Sequence, residues 1–132
     1  MRNQVFWTEN LEKTREKTLF PVIDVSQIVS QNFDSYIDDL LSDPSSTVKK
    51  ILNDQFDQAV HGLILTNIGI LLEPELQVSV VKLLLDYAVS YDVILFWPYS
   101  IKNGRILSWD VNDSTSSIEF SDHILQHMEI DV

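Results

Sequence analysis

The chain has no cysteine among its 132 residues, which excludes a disulfide framework, a thiolate metal site and a cysteine nucleophile. Glycine is almost as scarce. Gly62, Gly69 and Gly104 lie far apart, so neighbouring residues cannot assemble a glycine-rich phosphate loop. Cations are few: Lys plus Arg number 9 against 20 Asp plus Glu, a formal net charge of −11. Binding to a nucleic-acid backbone or an anionic membrane surface is disfavoured, because both draw affinity from Lys and Arg displacing counterions. Long apolar runs are also missing. The longest, Leu63 to Leu72, is broken by Thr66 and Asn67 and falls well short of the roughly 20 residues a spanning helix needs. The amino terminus, MRNQVFWTENLEKTREK, has no apolar stretch of signal-peptide length. The expectation is therefore a cytoplasmic, acidic protein without membrane or direct nucleic-acid contact.

What is present is ordinary for one globular unit: 45% hydrophobic residues, with no repeat, linker or low-complexity tract. Residues 1–132 read as a single α/β domain, with 1–18 a charged segment in which Glu9, Glu12 and Glu16 stand among Lys13, Arg15 and Lys17. The informative stretch is HGLILTNIGILLEPELQVSVVKLLLDYAVSYDVILFWPYSI, from His61 to Ile101. Two apolar runs without polar alternation flank a helix started by Glu73, Pro74 and Glu75, the pattern of a strand, crossover helix and parallel strand covered on both faces. The strands are placed at Leu63–Ile68 and Val93–Ile101, and the helix extends to Tyr91. Because the helix is apolar nearly all round, it suits packing against the sheet and a further partner.

Upstream, Leu19–Val25 reads as a first strand with Pro21 at its edge. A helix from Ser26 to about Asp43 follows, with Val29, Phe33, Tyr36, Ile37, Leu40 and Leu41 on one face, and then a second helix bearing Val48, Ile51, Leu52, Phe56, Ala59 and Val60, with N-cap candidates Ser45 to Thr47. Downstream, Asn103 and Gly104 signal a hairpin with a two-residue loop. That loop sets Ile101 opposite Ile106 and Tyr99 opposite Ser108. Trp97, Tyr99, Ile101 and Ile106 then share one face, and Leu107, Trp109 and Val111 the other. Asn112–Ser117 reads as a turn, Ser117–Phe120 as a short strand, and Ser121–Met128 as a terminal helix. The fold class is thus α/β, a small two-layer or three-layer domain with a partly parallel sheet and a C-terminal β-hairpin.

Three stretches, FPVIDVSQIVSQ, GLILTNIGILLEPEL and VILFWPYSIKNGRILSW, occur in an order that resembles the later portion of the small P-loop ATPase subunit of bacterial BREX phage-exclusion systems, the BrxF type. They cover about two thirds of the chain, Phe20 to Trp109. The resemblance implies that the second stretch corresponds to the strand ending at the acid that organises magnesium, and the third to the sensor strand and its hairpin. The chain departs from that pattern at both decisive places. Thr66 and Asn67 stand where the acid is expected, neither an anionic partner for hydrated magnesium. The first strand and phosphate loop are expected to be absent from the front. The resemblance thus implies a degenerate relative carrying a P-loop-like remnant.

Other chemical groupings are weak. His123 and His127 have the spacing of a two-histidine metal pair on a helix, but no Glu follows His123 within the pair and the segment is expected to fray, so the bland reading is the stronger. His61 is expected to face solvent before its strand. Asp34 with Asp38, and Asp54 with Asp57, fit solvated helix faces better than acid–base pairs. No Gly-x-Ser-x-Gly elbow marks a nucleophile. Trp97, Tyr99 and Trp109 lack the basic groove that single-stranded nucleic acid requires, since only Lys102 and Arg105 are near. No catalytic residue, cofactor or metal site is assigned. The expected function is a non-catalytic protein–protein interaction subunit of a phage-defence assembly, partnered by itself or by a larger ATPase. Its candidate interface is Leu76, Val80, Leu83, Leu84, Tyr87, Trp97, Tyr99 and Trp109. The alternative is an acidic inhibitor or DNA mimic that fills a basic groove with carboxylates of the Asp34–Asp43 stretch.

Overall fold

The structure is a computed structural model describing residues 5–55, 61–69, 79–102, 106–111, 114–119 and 126–127. In chain order the elements are β1 (Val5–Thr8), α1 (Leu11–Thr18), β2 (Val22–Asp24), α2 (Val25–Asn32), a 3-10 turn (Asp34–Tyr36), α3 (Ile37–Ser42) and α4 (Pro44–Asn53). There follow β3 (Gly62–Thr66), α5 (Val80–Ser90), β4 (Asp92–Phe96), β5 (Ser100–Lys102), β6 (Ile106–Val111), β7 (Ser114–Glu119) and β8 (Gln126–His127). The fold is α/β. Five strands form a parallel sheet in the order β2-β3-β4-β1-β8, and β5-β6-β7 form a separate antiparallel sheet.

The expected strand, helix and parallel strand are present. Leu63, Ile64 and Leu65 stand beside Val93, Ile94 and Leu95 in parallel register. All six side chains are buried, which accounts for the absence of polar alternation in both runs. α5 starts later than the Glu73–Glu75 expected from the sequence, at an extended Ser79 cap whose hydroxyl accepts the Lys82 N–H at 3.3 Å. It packs against β4 and β1 through Val80, Leu83, Leu84, Tyr87 and Ala88. α2 lies on β2, and α4 packs on α2 and α3.

Several boundaries differ from the sequence reading. The front of the chain does carry a strand, β1, and it sits inside the sheet between β4 and β8 rather than being missing. The single helix expected from Ser26 to Asp43 is three pieces. Asn32 Nδ2 donates back to the Ile28 carbonyl at 2.8 Å, and tighter turns follow, Phe33 N–H to Ser30 O and Tyr36 N–H to Phe33 O. Polar side chains in QNFDS thus compete with the helical ladder. α4 is capped by Asp43, with Pro44 in its first turn, rather than by Ser45 to Thr47.

The run Val93–Ile101 is likewise two strands in different sheets, because Pro98 cannot donate to a ladder. The hairpin register is one residue from the expected one: Ile101 faces Leu107, and Lys102 faces Ile106, leaving three residues in the connection. A slip of one residue exchanges the faces of a strand, and burial of Leu107 at 0% exposure with Ile101 packed against the same core selects this register. Leu107 therefore shares its face with Ile101, not with the opposite set. β7 begins at Ser114, inside the expected turn, and His127 lies in a strand, not a terminal helix. The residue pairing His127 for a metal site, His123, and the positions Phe56 to Val60, Asp57, Leu76, Asn103 and Gly104 lie outside the described residues.

Candidate functional site

In an open parallel sheet, the place where the chain leaves two adjacent strands in opposite directions forms a crevice at their carboxyl ends. Here that place is between β1 and β4. From β1 the chain runs to β2 at one edge, and after β4 it reaches β8 on the other side of β1. The two ends are tied together by the Trp97 N–H donating to the Thr8 carbonyl at 2.9 Å. Along this rim, in strand order, stand Asp24, Asn67, Trp97 and Glu9.

The turn from β1 to α1 is the feature that sequence reasoning missed. Trp7, Glu12, Lys13 and Thr14 fall at the spacing of the G-x-x-x-x-G-K-[ST] phosphate-loop pattern, with tryptophan and glutamate in the glycine positions. The signal was the Lys–Thr pair following a short β-prone run, VFWT. Only Glu9 and Asn10 link strand and helix. A phosphate loop needs backbone N–H groups turned toward a central anion, whereas here those of Asn10, Lys13 and Thr14 are taken up within the turn. Asn10 Oδ1 accepts the Lys13 N–H at 3.2 Å, and the Asn10 carbonyl accepts the Thr14 N–H at 3.2 Å.

Thr14, which would face a phosphate-bound metal in a working loop, is 0% exposed. Its hydroxyl donates to the Asn10 carbonyl at 2.8 Å and lies 3.0 Å from Thr8 Oγ1, which itself accepts the Asn10 N–H at 3.0 Å. The two buried hydroxyls thus close the turn on itself. Exposed Glu9 and Glu12 add negative charge at the same helix end, the sign that opposes an anion there.

The next turn along the rim is similarly self-contained. Asp24 caps α2 by accepting the Gln27 N–H at 3.0 Å, and the same oxygen accepts from Asn67 Nδ2 at 3.1 Å. Asn67 adopts the left-handed conformation, φ 53°, which asparagine tolerates better than most residues. Its carbonyl accepts from both the backbone N–H and the hydroxyl of Ser26. Asn67 therefore clamps β3 to the start of α2, while Thr66 is buried at the strand end. Among the described residues, no three His, Asp or Glu side chains are grouped so as to hold a metal ion.

The candidate interface is dispersed by burial. Val80, Leu83, Leu84, Tyr87 and Trp97 are each at most 3% exposed and belong to the core, so they offer no docking surface on the folded chain. Their apolarity is accounted for by the sheet beneath them. Tyr87 shows the fit: its hydroxyl donates to Asn53 Oδ1 at 2.7 Å and lies 3.3 Å from the Lys49 carbonyl, joining α5 to α4. Burial, with the nearby Tyr91 adding to it, pushes the Tyr87 hydroxyl far above the usual range for a phenol. Tyr99 is well exposed, at 63%, its ring edge-on to Trp97 with centroids 5.1 Å apart. Trp109 lies on β6, and Leu76 falls outside the described residues. His61 is exposed just before β3, as expected.

Asp34, Asp38, Asp39 and Asp43 are all exposed, Asp34 on the 3-10 turn and the next two on α3. Asp54 is exposed at the end of α4. Among the described residues no helix is long and apolar enough to cross a membrane. In comparisons with known proteins, no family model, no curated protein and no solved structure matches this chain.

Proposed function

We propose that this chain is a non-catalytic protein–protein interaction subunit of a bacterial phage-defence assembly, descended from a P-loop ATPase. The observation that carries the loss of chemistry is the closed β1–α1 turn. Lys13 and Thr14 keep their spacing, but the Thr14 hydroxyl is held by Asn10 and Thr8, and the Lys13 N–H is capped by Asn10. A triphosphate would have to break three buried or capped hydrogen bonds and displace the glutamates beside them. The resemblance of the three later stretches to the BrxF-type subunit supports the defence setting.

Two measurements test it. Titration calorimetry with magnesium and ATP is expected to show no saturable heat, and saturable binding abolished by Lys13→Ala would overturn the non-catalytic reading. Co-expression with the remaining subunits of a BREX-type system is expected to yield a stable complex. Failure to co-purify, with phage plating unchanged when the gene is removed, would overturn the assembly.

A second reading is favoured by the four exposed aspartates from Asp34 to Asp43 on a chain of net charge −11. It is an acidic inhibitor that occupies a basic nucleic-acid groove. Binding to a basic nuclease or repressor that weakens steeply with salt supports that reading, and salt-insensitive binding removes it.

A further inference from the structure

α3 is held to the rest of the molecule by one buried side chain. Leu40 is 3% exposed, and every other residue of Ile37–Ser42 is exposed. Two of those are large and apolar: Leu41 at 75% and, one turn earlier, Ile37 at 37%. Leu19, Val89 and Tyr99, the other large hydrophobic side chains exposed among the described residues, each stand on a different part of the chain. Single exposed apolar residues are ordinary on a protein surface. α3 is the one described element that shows two together.

Their setting is acidic. At roughly 100° per residue, Ile37 and Leu41 lie about 40° apart around the helix, with Leu40 about 60° beyond Ile37 and Asp38 about 60° beyond Leu41. The two side chains thus form a short ridge between the buried anchor and a carboxylate. Asp34 stands on the preceding turn, and Asp39 and Asp43 follow the far side of the helix. Asp38 and Asp39 suit the first turn of α3, where the helix dipole favours acid, but that does not account for the leucine left in water beside them. Among the described residues no Lys or Arg pairs with Asp34, Asp38 or Asp39. The cation recorded nearest, Lys50 of α4, sits over the Tyr36 ring at 5.8 Å from its centroid.

We propose that the Ile37–Leu41 ridge is a docking site for a basic amphipathic helix of a partner protein, which covers the ridge with apolar side chains and sets Lys or Arg against Asp34 and Asp38. This deepens the interaction reading by naming a surface and the chemistry of its partner, and rests on that reading in assigning the chain to docking. A helix is the fitting shape, because the backbone of α3 is hydrogen-bonded within itself and a ridge of side chains packs into the groove of another helix. Charge selects the sign. The net −11 that opposes a second copy, a nucleic acid or an anionic membrane draws a basic partner in and speeds its encounter. A phosphate mimic would need the carboxylates alone; the ridge among them calls for an apolar counterpart.

The test uses the intact chain, labelled with nitrogen-15, and a synthetic peptide of leucine and lysine about 18 residues long with its leucines on one helical face. A second peptide of the same composition, with leucines spread evenly round the helix, is the comparison. The first peptide is expected to bind saturably, to shift the amide signals of 37–43 most, and to bind several-fold more tightly than the second. Leu41→Ser is expected to weaken it several-fold at every salt concentration. Asp34→Asn with Asp38→Asn is expected to flatten the fall of affinity with salt. Val89→Ser, an exposed apolar side chain on α5, and Glu16→Gln, an exposed acid on α1, should do neither.

No saturable binding, equal binding of the two peptides, or a loss in Leu41→Ser no greater than in Val89→Ser overturns the proposal, the last leaving attraction by charge alone. Amide signals shifted mainly outside 37–43 overturn it as well. Peptide binding at α3 by a chain that joins no defence subunit defeats the proposed assembly and leaves this inference standing. Co-purification with those subunits, undiminished by Leu41→Ser, does the opposite.

Discussion

Gly62 opens β3, between β2 and β4, and an ideal Cβ at that position would lie 2.3 Å from Phe20 Cε2, 2.5 Å from Cζ and 2.6 Å from Cδ2. Non-bonded carbons settle at about 3.5–4.0 Å, so Gly62→Ala requires the ring to retreat by roughly 1 Å or more. Its freedom to do so is restricted. The Phe20 N–H donates to Thr18 Oγ1 at 3.3 Å, and the carbonyl of the next residue, Pro21, accepts the Ile64 N–H at 2.9 Å, so the backbone carrying the ring is tied to β3 itself.

Overpacking of this kind costs about 1–3 kcal/mol, offset in part by the roughly 0.5–1 kcal/mol that alanine gains over glycine inside a strand. The net expectation is destabilisation by about 1–2 kcal/mol. At roughly 3–5 °C per kcal/mol for a domain of this size, the melting temperature should fall by about 3–10 °C. Phe20→Ala removes the clashing ring, and in that background Gly62→Ala should be neutral or stabilising. The double-mutant cycle should then show a coupling of about 1–3 kcal/mol. Urea unfolding followed by tryptophan fluorescence and circular dichroism measures each corner, with a constant slope confirming that midpoints report stability. An equal penalty in both backgrounds, or no penalty with Phe20 in place, refutes the contact.

Three further outcomes are expected. Tyr87 is neutral in the fold and its ionisation is shifted upward, so its contribution is fully present below the unfolded value near 10 and is lost as pH rises above that value. Tyr87→Phe should cost about 1–2 kcal/mol at neutral pH, by leaving Asn53 without its donor, and should flatten the alkaline fall in urea midpoint. Leu19 is 85% exposed with φ 59°, a conformation costly for a side chain; Leu19→Gly should stabilise by roughly 0.5–1 kcal/mol, and a loss by calorimetry would show that the cap is not strained. Thr14→Val should cost about 1–2 kcal/mol, and Thr8→Val with Thr14→Val less than the sum of the two, since the hydroxyls share one network. Additive midpoints would show them independent.

The exposed Asp34 to Asp43 stretch and the buried α5 face place different weights on the two functional readings. Burial of Val80, Leu83, Leu84, Tyr87 and Trp97 removes these five of the candidate interface residues from any docking surface. Among the described residues, surface open to a partner includes the rim at Tyr99, the exposed side chains of Leu41 and Val89, and the aspartates of α3. An aromatic or leucine-rich helix signals burial; whether a sheet or a second protein supplies the cover is a matter of what lies opposite.

The strand, helix and parallel strand from Gly62 to Phe96 were determined by the sequence itself, because uninterrupted Leu, Ile and Val in two short runs can be buried only by cover on both faces. Helical spacing likewise marked Val29, Leu40, Val48, Ile51 and Leu52 as buried positions, since periodicity is a local property, but Ile37 and Leu41, expected on the same face, are exposed because the helix breaks before them. Tertiary structure decided the rest. β1 is four residues of mixed polarity, and its place between β4 and β8 comes from parallel pairing across the whole chain, which no local pattern records. The hairpin register was settled by burial of Leu107 rather than by the Asn–Gly turn signal, because misplacing a core leucine outweighs a preference for loop length. The closure of the β1–α1 turn likewise needed the fold. Thr8 and Thr14 are six residues apart, and only the sharp reversal at Glu9 and Asn10 brings their hydroxyls together.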